Sequence, residues 1–137
     1  MNNKITMKAT MDNLDYVLEF VERNLNTTDC PMKITMKIVL CIEELYVNIV
    51  NYAYDGYEGD CTICMEVPDD IPNKVKITIT DQGKYFNLLE QENPDITLDA
   101  DERDIGGLGI FMVKSTMDKI DYERKEGDNV IVLEKSW

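Results

Sequence analysis

The chain has 137 residues, of which 44% are hydrophobic and 30% are charged, so it is long enough to form one globular domain over residues 1–137. Its net charge of −13 argues against direct binding of nucleic acid, which needs clustered Lys and Arg. The absence of histidine excludes histidine metal sites, Ser-His and Cys-His nucleophile pairs and phosphohistidine within this chain.

The first residues, the lack of a long apolar stretch and the cysteines together predict a cytoplasmic protein. Residues 1–5 lack the apolar core of a signal peptide, and no apolar run approaches the ~20 residues of a membrane helix, so we expect no membrane partner. Four cysteines fit a reducing compartment. Cys61 and Cys64 form a C-x-x-C pair within a predicted strand, where this spacing puts the thiols on opposite faces. We therefore expect them to pack and not to bind zinc.

The hydrophobic pattern predicts alternating blocks of strands and helices. The first are a strand from Ile5 to Thr10 and a helix that is capped by Asp12 and has apolar residues at helical spacing (Leu14, Val17, Leu18, Val21). A second helix is predicted from about Met32 to Tyr54, and two strands follow it, from Cys61 to Val67 and from Val75 to Asp81. An acidic lid is then predicted from Phe86 to Arg103. The chain is predicted to end with a helix from Gly107 to about Lys119 and a hairpin of two strands, Ile120 to Arg124 and Val130 to Leu133. This order favours an α+β fold, with a mixed, mostly antiparallel sheet and helices on one face.

The second predicted helix carries an acid and an amide beside its apolar stripe. The stripe comprises Ile38, Ile42, Leu45, Ile49 and Ala53. Glu44 and Asn48 lie about 40° apart and away from the centre of that stripe, with Asn51 close to them. A carboxylate there can accept a proton, and an amide oxygen can complete a Mg²⁺ shell that holds phosphates. The alternative is an ordinary solvated polar face.

Asp81 and Gly83 end a predicted strand as Asp-x-Gly. A carboxylate at the mouth of a pocket can accept a hydrogen bond from the adenine amine, whereas guanine presents a carbonyl there. Gly83 allows the chain to turn sharply at that point. A plain turn at the end of a strand is the alternative.

Gly106, Gly107, Leu108 and Gly109 open the third predicted helix. Glycines at a helix start let backbone N–H groups approach a phosphate, and the helix dipole adds to the attraction. The segment is not a Walker A motif, which needs Gly-Lys-Ser or Gly-Lys-Thr, nor does it follow a strand as a Rossmann fingerprint does. A flexible helix start is the alternative.

The ordered set of motifs resembles the Bergerat-type ATPases, the superfamily of DNA gyrase and the histidine kinases. Within it, the chain is most similar to the anti-sigma-factor serine kinases of bacterial partner-switching systems. The resemblance depends on three segments: Ile42 to Tyr54, Asp81 to Phe86, and Gly106 to Asp118. It covers nearly the whole chain and implies a two-layer α/β sandwich.

The resemblance also implies a role for each matching residue. Glu44 would be the general base on a substrate serine hydroxyl, and Asn48 would bind Mg²⁺. Asp81 would bind the adenine amine beside Gly83, and residues 106–109 would line the phosphates under the lid. The implied cofactors are ATP and Mg²⁺. The implied partners are a sigma factor and the anti-anti-sigma protein that the kinase phosphorylates, with the kinase itself a homodimer.

Some positions depart from the pattern of the family. Ile105 stands where some relatives have an arginine, and Arg103 lies slightly upstream. Gly127-Asp128-Asn129 replaces a common Gly-Thr, and Tyr52 replaces a common histidine. Two alternatives to the kinase therefore stay open. One is an ATP-dependent partner-switching module without significant kinase activity, and the other is a histidine-kinase catalytic fragment with its phosphoacceptor on another chain.

Overall fold

The computed structural model describes residues 1–90 and 107–137, and within those ranges the chain forms strands, α-helices and short 3-10 turns. The strands are β1 (Asn2–Lys8), β2 (Asp60–Glu66), β3 (Lys74–Asp81), β4 (Lys119–Lys125) and β5 (Asp128–Ser136). The α-helices are α1 (Leu14–Asn26), α2 (Met32–Tyr52) and α3 (Gly107–Thr116), and the 3-10 turns are Met11–Asn13 and Leu88–Glu90. The predicted order of strands and helices is confirmed over the described residues.

The strands form one five-stranded sheet in the order β1-β2-β3-β5-β4. Every pairing among these described strands is antiparallel, so the sheet is mostly antiparallel as expected but has no parallel pair that would make it mixed. β5 joins the sheet beside β3, and this register sets Asp81 opposite Asn129. The sheet thus brings the last strand to the end of β3, where the Asp-x-Gly turn begins.

The core lies between one face of the sheet and the helices. Alternate residues of β2 and β3 are buried, as the two-residue period of a strand requires. The predicted apolar stripe of α2 and the residue that follows the helix, Ala53, are buried, and removing each Ile or Leu side chain of the stripe from water stabilises the fold by about 1.5–3 kcal/mol. Cys61 belongs to this core, where burial raises its pKa to about 12, while Cys64 is half-buried on the other face. The prediction of two packed cysteines on opposite faces is confirmed.

The long helix α2 positions most of the candidate site. Its 21 residues run in contact with both α1 and α3. Charged side chains interrupt its outward face, and among the described residues no helix combines the length and apolar character that crossing a membrane requires. α2 therefore has one buried face, and the C-terminal half of its opposite face bears Glu44 and Asn48.

Two boundaries near the N-terminus differ from the predicted ones. β1 begins at Asn2 because it pairs with β2 from that residue onward, so its extent is decided by a distant strand. Asp12 is not a helix cap, since it lies inside a 3-10 turn, and Asn13 occupies the N-cap position of α1. The Asn13 side chain donates to Lys8 O at 2.8 Å and makes no capping hydrogen bond.

Candidate functional site

Glu44 and Asn48 lie one turn apart on α2 and contact each other. Asn48 Nδ2 donates to Glu44 Oε1 at 3.3 Å, and both side chains are half-buried. No described residue donates to the Asn48 amide oxygen, so this oxygen can serve a ligand. Asn51, expected close to them, is exposed, and its side chain makes no hydrogen bond with a described residue.

The glycine segment at the start of α3 packs directly on the Glu44 carboxylate. A Cβ atom built on Gly109 would lie under 3.0 Å from Glu44 Cδ and from both carboxylate oxygens, a separation that Cβ atoms essentially never show. Only a residue without a side chain therefore allows this contact. The fold has brought together two motifs that are 65 positions apart in the sequence, and it sets the carboxylate beside the first turn of a helix, where unpaired N–H groups and the helix dipole favour negative charge.

Asp81 is a buried carboxylate at the end of β3. Its Oδ1 accepts from Gly83 N at 2.8 Å and from Asn129 Nδ2 at 3.0 Å. No described residue donates to Oδ2, and the side chain lines a cleft. One oxygen is thus fixed by the protein, and the other can accept a hydrogen bond from a ligand.

Gly83 brings the turn after Asp81 into close contact with the end of α2. A Cβ at this position would overlap the backbone of Ala53, and the adjacent Lys84 N donates to Ala53 O at 2.9 Å. On the other side, Gln82 N donates to Tyr54 Oη at 2.9 Å. The turn is therefore bonded to α2 and to the chain that follows it, so glycine at position 83 is required by packing.

Asn129 is the site residue that sequence reasoning did not select. It is buried, and its amide nitrogen donates to Asp81 Oδ1 and, at 2.8 Å, to Lys84 O. In the sequence, residues 127–129 stand out only as a departure from the family pattern. The available signal was that departure, a polar amide in place of Gly-Thr, but its contact with Asp81 depends on the pairing of β3 with β5.

The side-chain oxygen of Asn129 is saturated by donors from two further segments. It accepts from Tyr122 Oη at 2.5 Å, from Arg124 Nη1 at 3.1 Å and from Phe86 N at 3.3 Å. Arg124 Nη1 also donates to Gly83 O at 2.8 Å, and burial raises the pKa of Tyr122. This network fixes the orientation of the Asn129 amide, so that its nitrogen is the group that faces Asp81.

A cleft lies between the C-terminal half of α2, the end of β3 and the start of β5. Among the described residues, its lining comprises Leu45, Asn48, Ile49, Tyr52, Ala53, Asp81, Lys84, Phe86, Leu88, Asn129 and Ile131. The wall is mostly apolar, with a few polar groups near the two carboxyl-bearing motifs, the arrangement that favours a flat heterocycle with a polar edge. Lys84 supplies positive charge at the rim and forms an ion pair with Asp55 at 3.0 Å.

Part of the predicted site lies outside the described residues. Gly106, Ile105, Arg103 and most of the expected lid belong to residues 91–106. The described start of that lid is packed, since Phe86 is half-buried and Leu88 is buried in the cleft wall. Gly107 and Leu108 form the first residues of α3.

The donor set suits Mg²⁺ held jointly with phosphates better than a metal bound by the protein alone. In the described part of the chain, no three His, Cys, Asp or Glu residues are clustered to hold a metal ion. Mg²⁺ keeps several waters and commonly takes only one or two protein oxygens together with substrate phosphates. The Asn48 amide oxygen, beside the Glu44 carboxylate, fits that requirement.

Comparisons with known proteins identify the family to which this chain belongs. A family model described as "Histidine kinase-like ATPase domain" matches residues 7–135. Curated relatives are the serine-protein kinase RsbW of Listeria monocytogenes, 29% identical over 98 residues, and that of Staphylococcus epidermidis, 28% identical over 102 residues. The alignments cover 68% and 69% of this chain but only 60% and 61% of those proteins.

Solved structures show the same fold at lower identity. The RsbU and RsbW domains of a Mycobacterium tuberculosis protein superpose with a TM-score of 0.70 at 16% identity, covering 99% of this chain and 32% of that one. A blue-light activated histidine kinase from Erythrobacter litoralis gives 0.59 at 13% identity, covering 90% and 41%. The resemblance inferred from the three motifs is confirmed, and the chain belongs to the family of histidine kinase-like ATPase domains.

Proposed function

We propose that this chain binds ATP with Mg²⁺ and transfers the terminal phosphoryl group to a serine or threonine of an anti-anti-sigma partner protein. The observation that carries the proposal is the convergence of Glu44, Asn48 and Gly109. A half-buried carboxylate is hydrogen-bonded to an amide and packed on the start of α3, next to a cleft whose far end holds Asp81. A base, an oxygen ligand and a phosphate-binding helix start are what phosphoryl transfer by positioning and charge neutralisation requires.

Glu44 and Asn48 act at the phosphate end of the cleft. Glu44 accepts the proton of the substrate hydroxyl as its oxygen attacks the terminal phosphorus, and the contact with Gly109 holds the carboxylate in place. Asn48 contributes an amide oxygen to Mg²⁺, which, when bound with ATP, neutralises phosphate charge. The first N–H groups of α3 donate to the phosphates, because the first turn of a helix has no preceding carbonyl groups within the helix to accept from these N–H groups.

Asp81 acts at the base end of the cleft. Its free Oδ2 accepts a hydrogen bond from the exocyclic amine of adenine, while Asn129 and Gly83 hold Oδ1. Guanine presents a carbonyl oxygen at the same ring position, so this oxygen and Asp81 Oδ2, both acceptors, would face each other with no hydrogen-bond donor between them. A buried acceptor left without a partner costs about 1–3 kcal/mol, which is enough to select ATP over GTP by one to two orders of magnitude.

The regulatory part of the proposal follows from the resemblance and from the relatives named RsbW. In it, the chain sequesters a sigma factor until the anti-anti-sigma protein displaces that factor, and phosphorylation of the anti-anti-sigma protein reverses the displacement. The kinase works as a cytoplasmic homodimer and so regulates transcription without contacting DNA. The curated relatives are longer than the segment that aligns with this chain, so their full activities are proposals here.

The second candidate is an ATP-dependent binding module that switches partners without significant kinase activity. The observation that favours it is Ile105, which stands where some relatives place an arginine near the terminal phosphate. An isoleucine cannot neutralise charge that develops in the transition state. Such a module would still need the nucleotide cleft, so only a measurement of phosphoryl transfer separates it from the kinase.

The separating experiment compares two adjacent acids on α2. Glu44→Gln keeps size and hydrogen bonding but removes the base, so calorimetric ATP affinity should persist while transfer of label from ATP to the partner serine falls by ~10²-fold or more. Glu43→Gln is the matched control, because residue 43 points about 100° away on the helix, and its transfer rate should be unchanged. Equal phosphorylation by both variants and the parent would reject Glu44 as the base, and a parent that binds ATP but labels no partner would establish the binding module.

A further inference from the structure

An exposed apolar row runs along the N-terminal half of α2. Met32, Met36 and Leu40 are 60%, 48% and 48% exposed, and their four-residue spacing puts them on one side of the helix, away from the buried stripe. Single exposed apolar residues are ordinary on a protein surface, but three in consecutive turns make a continuous strip. The fold does not use this strip, since its members lie outside the core.

Positive charge borders the same strip. Lys33 and Lys37 lie one turn apart beside it, both are exposed, and neither forms an ion pair with a described residue. No acidic residue occurs on α2 before Glu43. In a chain of net charge −13, this half of α2 is therefore a local basic and apolar surface. We name Met32, Met36, Leu40, Lys33 and Lys37 the α2 patch.

The α2 patch leads into the candidate site. The four-residue row that contains Met32, Met36 and Leu40 continues through Glu44 and Asn48, so Leu40 is one turn, about 6 Å along the helix axis, from the proposed base. Anything that covers Leu40 extends over the neighbourhood of the Glu44 carboxylate. The α2 patch is thus continuous with the row of residues that carries the proposed base.

We propose that the α2 patch docks an acidic amphipathic helix of the protein that receives the phosphoryl group, an inference whose catalytic half rests on the proposed function. Apolar side chains at three- and four-residue spacing on the partner pack against Met32, Met36 and Leu40, as in other helix recognition. Carboxylates beside them pair with Lys33 and Lys37. The docked helix presents a nearby serine or threonine hydroxyl to Glu44.

The test uses a fluorescein-labelled synthetic peptide of about five helical turns, with Leu at four-residue intervals along one face, Glu on both sides of that face and one terminal serine. Binding is followed by fluorescence anisotropy at about 0.15 M salt. At this ionic strength the Debye length is about 8 Å, so charges close to the peptide dominate the electrostatic part of binding. Lys33→Glu combined with Lys37→Glu should weaken binding at least tenfold. The control pair Lys119→Glu with Lys125→Glu makes the same change of net charge on β4 and should alter binding less than twofold.

A second pair of variants tests the apolar contact. Leu40→Ser should weaken binding of the peptide at least fivefold. Ile71→Ser, which changes a residue 43% exposed on another surface, should leave the peptide affinity unchanged. With peptide serine as phosphoacceptor, Leu40→Ser should raise KM and leave kcat and ATP affinity unchanged. No binding by the parent, equal binding by patch and control variants, or a dimer that Leu40→Ser dissociates in sedimentation would overturn docking at this surface.

Failure of docking and failure of the proposed kinase give different results. Peptide affinity is measured without nucleotide, and Glu44→Gln should bind the peptide as the parent does. A parent that binds the peptide through the patch but never labels its serine would contradict the kinase and keep the docking surface. A parent that labels the serine with the same KM as the patch variants would contradict the docking surface alone.

Discussion

Replacing Gly109 by alanine should separate activity from stability, because the three atoms nearest to an added Cβ all belong to the Glu44 carboxylate. A Cβ at position 109 would lie 2.5 Å from Glu44 Oε2 and closer to the other carboxylate atoms. Ordinary van der Waals contact begins at 3.4 Å. The carboxylate must therefore move by about 1 Å or more, and a displacement of that size in a catalytic group can lower the rate by about 10²-fold.

The same substitution should not weaken the fold. Gly109 lies in α3 and does not have a positive φ, so alanine fits its backbone and should contribute up to about 1 kcal/mol through helix propensity. We expect Gly109→Ala to lose about 10²-fold in phosphoryl transfer while its melting temperature stays level or rises. The assays are transfer of label from ATP and thermal unfolding by circular dichroism.

Gly56→Ala is the matched control with the opposite expectation. Gly56 has φ +89 and nothing within 4 Å of an added Cβ, so alanine there is strained but touches no catalytic group. It should cost about 1 kcal/mol in the free energy of unfolding and leave transfer unchanged. A Gly109→Ala variant that transfers phosphate at the parental rate would refute the claim that Glu44 must occupy this position.

A double variant identifies the cause of the lost activity. Glu44→Asp shortens the side chain by one methylene and makes room for an alanine at position 109. If the steric contact is the cause, the two substitutions together should cost at least fivefold less activity than the product of their separate effects. Multiplicative effects would show that Gly109 acts in another way, for example through the phosphates.

The remaining predictions concern three other side chains. Asn129→Ala removes a donor from the buried site carboxylate and should lower the preference for ATP over GTP by about tenfold, measured by competition in calorimetry. Burial raises the pKa of Cys61 to about 12, so at pH 8 a thiol reagent should modify the half-buried Cys64 first and should react with Cys61 only when the protein unfolds. Equal rates of modification at the two cysteines would contradict the burial of Cys61. The Ser136 backbone N–H lowers the pKa of Asp118 below 3.8, so its stabilisation should be present at neutral pH and lost as the pH falls through that lowered value. Asp118→Asn should therefore reduce the melting temperature at pH 7 but not in strong acid.

Local signals predicted the elements of this fold well. The three-to-four spacing of the α2 stripe and the alternation in β2 and β3 are properties of neighbouring residues, and the structure buries those residues as expected. The helix start at Gly107 was also predicted, since glycines preceded an apolar run. The start of β1 was not, because its first residues have no alternating pattern and are ordered by pairing with β2.

The candidate site was predictable as a set of motifs but not as a set of contacts. The spacing of Glu44 and Asn48 placed both side chains on one side of a helix, and the structure adds the hydrogen bond between them. The contact between Asp81 and Asn129 joins residues 48 positions apart, and it exists because β5 inserts next to β3 and not next to β2. No local sequence pattern specifies which strand β5 pairs with, so the spacing of residues could not predict the role of Asn129, which depends on the order of the strands.

A net charge of −13 should repel the phosphates of a nucleotide, but the potential at the candidate site depends mainly on the charges close to it. At physiological salt, charges beyond about 8 Å are largely screened, so the groups around the cleft decide the potential there. Arg124 Nη1 donates to the carbonyl of Gly83, beside Asp81, while the start of α3 lies against Glu44. A guanidinium at one end of the candidate site and a helix terminus at the other thus each offset the negative charge of a neighbouring carboxylate, which lowers the local repulsion that phosphates would meet.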